Sequence, residues 1–254
     1  MYKEKIYENK KNIIVILCFI YVLSLGYLRT YINIWNNFDY NFCKIDLLLL
    51  ILKPSYIGTF ISIFTAYLSM HITKYDFNTN LILRYKSKKY IWLRQSVHII
   101  INSFIIICSV VIFDFIIGII YRKVTYNWNS EDSLFFSKTH GMLAYDKQFI
   151  VIISIIIIST LTISIVSILC NLIYWITNSQ IFSILITICF CLWNVFKPGF
   201  YFDLFSKTKL NEIDFITGNK LVLDVSILPL ILIVLIFLSL VIIRKKEFLN
   251  DTRR

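Results

Sequence analysis

The cations that could do chemistry in this sequence are concentrated in one short stretch. Residues 73–95 read TKYDFNTNLILRYKSKKYIWLRQ and carry Lys74, Arg84, Lys86, Lys88, Lys89 and Arg94 against one acid, Asp76. Long apolar runs flank this stretch on both sides. A dense positive loop between apolar runs marks the cytoplasmic face of a membrane. A second ionisable feature is Asp114, which stands inside an apolar run. A carboxylate there is costly unless it is paired, protonated or set in a wet cavity. Arg29 lies near the outer end of the first apolar run, and its long side chain could reach down, so an Arg29–Asp114 ion pair is one of two readings. The alternative is that Asp114 lines a polar cleft or meets a backbone or hydroxyl partner.

The remaining candidates give little. His71 and His98 fall at the inner ends of two runs and could approach each other, whereas His140 lies in an outer loop. Two histidines with no acid or cysteine beside them make a weak metal signal, so no metal site is expected. None of the six glycines builds G-x-x-x-x-G-K-[ST], so the chain has no P-loop for ATP. H-E-x-x-H and G-x-S-x-G are also missing, and no catalytic set can be assembled at one depth. The chain is therefore not expected to be an enzyme or to bind a cofactor itself. Of six cysteines, Cys18, Cys108, Cys170, Cys189 and Cys191 fall in or beside apolar runs, and Cys43 falls in a polar loop. No disulfide framework follows from their spacing.

These residues must be positioned by something other than a soluble core. The 254 residues are 58% hydrophobic and only 16% charged, and mean hydropathy is +0.73. A soluble domain runs near 45–50% apolar and about 25% charged. The net charge of +11 does not imply nucleic acid, because the bases sit in loops beside apolar runs, as at a cytoplasmic membrane face. Spans need about 20 predominantly apolar residues. Six segments qualify, at about 13–32, 56–72, 97–121, 149–170, 181–196 and 225–243. The expected fold is all-α, a single polytopic domain over residues 1–254.

With both termini inside, the inner side holds fifteen bases and five acids, net +10. The rest of the chain holds eleven bases and ten acids, net +1. That asymmetry orients a multi-pass plasma-membrane protein with cytoplasmic termini. Trp35, Trp92, Trp175 and Trp193 fall near span ends, as an aromatic belt requires. The first apolar run is too long for a cleavable signal core, so it is expected to stay as a helix. The amino-terminal tail, with Tyr2 and Ile6 at helical spacing, reads as a solvated tail in preference to a surface helix. The segment 46–53 (DLLLLILK) is too short to span. It is either an interfacial helix or the start of a second span kinked at Pro54. The fourth and fifth spans make a tight hairpin through NLIYWITNSQ. The outer segment 197–224 carries the cluster Pro198, Gly199, Phe200, Tyr201 and Phe202, with Phe205, as a re-entrant turn or an aromatic belt. The loop 122–147 holds Trp128, Glu131, Asp132, Phe135 and Phe136 and forms a small outer cap with no readable role.

Within the basic loop, Asn78 or Thr79 can cap a short helix through Leu83, presenting Leu81, Ile82 and Leu83 to membrane or partner. A Ser87-Lys88-Lys89 turn then leads into the third span. This order resembles the type 2 ABC (ATP-binding cassette) permease family, small six-span exporter or immunity type. In that family a span entered through a proline ends in an acid, a short helix follows, and an Arg-x-x-Ser-[Lys/Arg] turn and a basic residue precede the third span. The matching residues are Pro54, Asp76, Thr79, Arg84, Ser87, Lys88 and Arg94. Asp76 stands where Glu is usual and Asn78 where Gly is common.

The resemblance implies a permease that pairs with a second permease, identical or homologous, and with separate ABC ATPase subunits carrying ATP and Mg. It makes Asp76, Thr79, Ile82, Arg84, Ser87, Lys88 and Arg94 the ATPase-coupling residues. It places the pathway at the permease–permease interface, along the first, second and fifth spans. Related small permeases serve antimicrobial-peptide export or self-immunity, and the wealth of Phe, Tyr and Ile suits an amphipathic or hydrophobic cargo. Usage rich in Ile, Lys, Asn and Tyr agrees with a low-GC bacterium. Two other classes remain open: an ATP-independent secondary transporter using Asp114, and a membrane scaffold without transport.

Overall fold

The computed structural model describes residues 2–73, 87–121, 124–139, 148–196, 204–205 and 219–244. Among these residues the protein is helical throughout, with no strand and one isolated bridge between Asn41 and Ser133. The helices are α1 (Tyr2–Asn37), α2 (Lys44–Leu49), α3 (Ser62–Thr73), α4 (Lys88–Tyr121), α5 (Leu134–Lys138), α6 (Gln148–Thr177), α7 (Gln180–Phe196) and α8 (Asn219–Arg244). α1 takes in the amino-terminal tail from Tyr2, where a solvated tail was expected.

Four helices are long and apolar enough to cross a membrane: Ile14–Asn37, Lys89–Tyr121, Gln148–Thr177 and Val225–Ile243. A fifth is added if Lys44–Leu52 and Pro54–Thr73, bent by 60° at their junction, count as one span. The expected fifth span is α7, whose 17 residues reach only about 25 Å at 1.5 Å per residue. That is short of the roughly 30 Å of a hydrocarbon core. Large apolar side chains are exposed along the candidate spans, among them Val22, Ile120, Phe149 and Phe237. This is the surface of a protein suited to lipid, since water-soluble monomers avoid such wide apolar faces.

α6 is the central helix. Of its most apolar window 61% is buried, against 44% or less for the other three candidate spans. It packs against α3, α4, α7 and α8. Small hydroxyl residues let neighbours come close to it. On α3, Ser62, Thr65, Ser69 and Thr73 recur at helical spacing, and on α6 so do Thr160, Ser164, Ser167 and Asn171. All are buried. Small polar residues are the usual contact surface between helices in lipid, where burying larger apolar side chains gains nothing over lipid contact.

The helix ends follow local rules. α1 closes with Asp39 in the left-handed region (φ 52°). There Tyr40 N–H donates to Trp35 C=O at 2.9 Å and Asp39 N–H to Asn36 C=O at 3.2 Å, the paired bonds of a Schellman closure. Asn178 (φ 56°) ends α6 in the same way, its N–H donating to Tyr174 C=O at 2.9 Å. Ser179 Oγ then accepts from Phe182 N–H at the start of α7. The α6–α7 turn is thus two residues, and most of the expected hairpin NLIYWITNSQ is helix.

The chain breaks at Pro54. A proline forces the residue before it into extended backbone, and Lys53 has ψ 130°. Pro54 then opens a new turn, Ile57–Ile61 forms a π-turn, and α3 continues from Ser62. Every residue of the segment before the break, from Phe42 to Leu52, is buried against the rest of the protein. At Gly58, in the π-turn, α7 comes close. A Cβ there would meet Val195 Cγ2 at 2.7 Å and the Phe205 ring at 3.1 Å.

The stretch 124–139 caps the same end. Asp46 Oδ1 accepts from Trp128 Nε1 at 2.8 Å and its Oδ2 from Cys43 N–H at 2.8 Å. Asn127 Nδ2 and Leu134 N–H donate to Asn41 C=O at 2.8 and 2.9 Å. Cys43, expected in a polar loop, is fully buried under this cap. Burial pushes its thiol up, and the nearby Asp46 carboxylate adds to the effect.

Overpacking a tight site typically costs about 1–3 kcal/mol. Gly58→Leu should therefore lower the thermal midpoint of the detergent-solubilised protein. Gly26→Ala, where nothing lies within 4 Å, should leave it unchanged or raised, as expected for Ala in a helix. Equal effects in a thermal melt would argue against the close α7 approach.

Candidate functional site

The two ends of the basic loop are tied together inside the bundle. Gln95, on the second turn of α4, is fully buried. Its Nε2 donates to Thr73 C=O at 3.4 Å, closing the end of α3 onto the start of α4. Its Oε1 accepts from Trp175 Nε1 at 2.8 Å and from Asn171 Nδ2 at 3.3 Å, both on α6. Thr73 Oγ1 completes the ring by donating to Asn171 Oδ1 at 2.9 Å. Trp92, fully buried, packs edge-on against Trp175 with centroids 5.6 Å apart. Three helices therefore meet at one amide, at the base of the loop.

The apolar setting gives this network its rigidity. An amide inside a bundle has no water to fall back on, so each unpaired polar atom costs about 1–3 kcal/mol. A displacement of the loop base along α3 or α4 strains bonds to α6. The arrangement can carry motion from the loop into the central helix.

Of the expected coupling residues, Asp76, Thr79, Ile82 and Arg84 lie outside the described residues. Ser87 is the N-cap of α4: its Oγ accepts from Tyr90 N–H at 3.3 Å. Lys88 is the first residue of α4, and Arg94 is exposed one position before buried Gln95. Gln95 and Asn171 were not singled out from the sequence. The signal was available, because an amide bordering an apolar run must find a partner within the bundle. The aromatic belt also needs correction. Trp35, Trp92 and Trp175 are buried, and only Trp193 is exposed, at 51%. An indole near a span end serves equally well as an interior wedge, and Trp175 finds its N–H partner in Gln95.

The Arg29–Asp114 pair is not formed. Arg29 is exposed on α1, whereas Asp114 is fully buried and its Oδ1 accepts from Ser24 Oγ at 3.2 Å. Five residues separate Ser24 from Arg29 on α1, well over one helical turn, so the two side chains leave the helix in different directions. Ser24 Oγ also bonds the hydroxyl of Tyr56. Of the histidines, His71 is buried beside Tyr67 and His98 is exposed; His140 lies outside the described residues. No group of three or more potential metal ligands occurs among the described residues. The cluster at 198–202 is likewise outside them. Phe205 is buried against Gly58, and Leu204 N–H donates to Asn194 Oδ1 at 3.1 Å.

No family model, curated protein or solved structure matches this chain.

Gln95→Leu should destabilise the detergent-solubilised protein by about 1–3 kcal/mol, because it removes the shared acceptor of Trp175 Nε1 and Asn171 Nδ2. Asn171→Leu should cost a similar amount, and the double change less than the two combined. Strict additivity in the double-mutant cycle would show that the two side chains do not share a network.

Proposed function

We propose that this protein is a permease subunit of an ATP-driven exporter. It would move an amphipathic or hydrophobic cargo across a bacterial plasma membrane with energy from a separate ABC ATPase. The observation that carries this reading is the Gln95 junction, which fastens both ends of the most basic loop to the central helix. A loop that only obeyed charge bias would need no such anchorage. In this reading Asp76, Thr79, Ile82, Arg84, Ser87, Lys88 and Arg94 face the ATPase, both termini are cytoplasmic, and α7 serves as a short fifth crossing of six. The cycle is alternating access, with nucleotide and ATPase-dimer closure shifting the populations of the permease states. The pathway lies against a second permease, identical or homologous. An antimicrobial peptide is the cargo class that the family resemblance suggests. The strong apolar surface and the inner-side excess of bases support membrane placement.

The buried Asp114 favours a second reading, an ATP-independent transporter coupled to an ion at that carboxylate. Co-purification separates the two. If an ABC ATPase is encoded beside its gene, the full chain expressed with it should pull that ATPase from detergent extracts. Changing Ile82, Arg84 and Lys88 together to Ala should abolish both capture and cargo-stimulated ATP hydrolysis. Undiminished capture and stimulation in the triple variant would sink the coupling role of the loop.

A further inference from the structure

The break at Pro54 sets a hydroxyl chain against the one buried carboxylate on α4. Asp114 lies seven residues before the end of α4 at Tyr121, about 10 Å along the helix. Ser24 of α1 donates to its Oδ1 at 3.2 Å. Ser24 in turn bonds the hydroxyl of Tyr56, the residue immediately before the π-turn. Ser24, Tyr56 and Asp114 are all 99–100% buried. Asp114 Oδ2 has no hydrogen-bond partner among the described residues. Beyond Tyr56, half-buried Tyr27 stacks on its ring with centroids 4.7 Å apart, and the Tyr27 hydroxyl meets Ser55 Oγ at 2.9 Å.

We propose that Asp114, Ser24 and Tyr56 form an intramembrane proton-binding site. This goes beyond the permease reading and stands whether or not an ATPase docks. The geometry selects the ligand. Ser24 Oγ links the Tyr56 hydroxyl to Asp114 Oδ1, and the three side chains hold four oxygens, fewer than the six that oxygen-ligated metal cations take. A proton needs one free oxygen, and Oδ2 is free. Hydroxyls both donate and accept by rotation. Ser24 therefore donates to Oδ1 both when the carboxylate is charged and when Oδ2 carries a proton, a bond that is stronger in the charged form. Binding adds one proton to a carboxylate oxygen and breaks no other bond. A non-α turn beside a buried acid is also a recurring setting for ion and proton sites in membranes.

Other charges do not override this. Tyr56 reaches the carboxylate through Ser24, and Tyr27 stacks on Tyr56. Tyr21 lies over Phe113. The Lys44 ammonium is held over the Phe115 ring at 5.5 Å, and Arg29 is exposed. α6 offers only Cys170 and Tyr174, at its far end, and the described side chains of α8 offer none.

The test uses the full chain in lipid nanodiscs and dicyclohexylcarbodiimide, which reacts with protonated carboxyls in apolar surroundings. Peptide mass mapping across a pH series should find the adduct at Asp114, its rate falling sigmoidally as pH rises. Tyr56→Phe and Ser24→Ala should each displace the midpoint by about half a unit to one unit, the worth of one hydrogen bond. A purely structural carboxyl would give a flat profile, and that result would overturn the proposal. So would the lack of an Asp114 adduct while other carboxyls react. Protection by sodium at constant ionic strength would assign the site to a metal cation instead and overturn it equally.

Discussion

One buried amide holds the Thr73 end of this bundle together. Gln95 is the point where α3, α4 and α6 share hydrogen bonds, in surroundings where dispersion packing between helices is matched by packing against lipid. Apolar contact alone cannot then specify which helix sits beside which. The amide can, because its partners have nowhere else to go. Thr73 and Asn171 lie at the ends of the hydroxyl stripes on α3 and α6, so the junction also sets the register along which the two helices approach. Individual bonds of this kind average only about 0.6 kcal/mol in a membrane bundle. A ring of four bonds that must break together is worth more than one such bond.

The opposite end is organised differently. There the backbone itself is interrupted at Lys53–Pro54, and an interrupted helix leaves backbone groups without intrahelical partners. Those groups are tolerable only where protein surrounds them. The cap 124–139 supplies that enclosure, with Trp128 and Asn127 tying the segment 41–46 from outside. Gly118 allows it, since a Cβ there would lie 3.2 Å from Lys44 Cγ. The cap is therefore a consequence of the break and does not stand as an independent domain.

The helical runs were legible in the sequence because length and hydropathy set them, and the bend at Pro54 was legible because proline acts locally. The coupling between elements was not. Trp92 and Trp175 look the same from sequence whether they anchor in a lipid interface or wedge into a core. The choice depends on the Gln95 carbonyl some eighty positions from Trp175 in the chain. Asp114 stands out in the sequence as an anomaly with two readings, an Arg29 pair or a hydroxyl partner, and helix rotation selects the hydroxyl of Ser24. Asp46 escaped notice because its partner, Trp128, lies in a loop with no periodicity to read.

The two ends impose opposite mechanical properties on the segments they bound. At the Thr73 end the hydrogen bonds run between helices, so α3, α4 and α6 move together or not at all. At the Pro54 end the contacts that bridge α1 and the break are hydroxyl pairs and stacked rings, Ser24 with Tyr56 and Tyr27 with Tyr56. Such contacts can slide or reverse at small cost, and a π-turn beside them absorbs local changes in helical phase. A push on the basic loop would therefore pass through α3 as through a rod and be taken up near Gly58 and Tyr56. There α7 packs close and Asp114 is buried, so a change of state at the carboxylate and a displacement of the loop would act on the same turn of backbone.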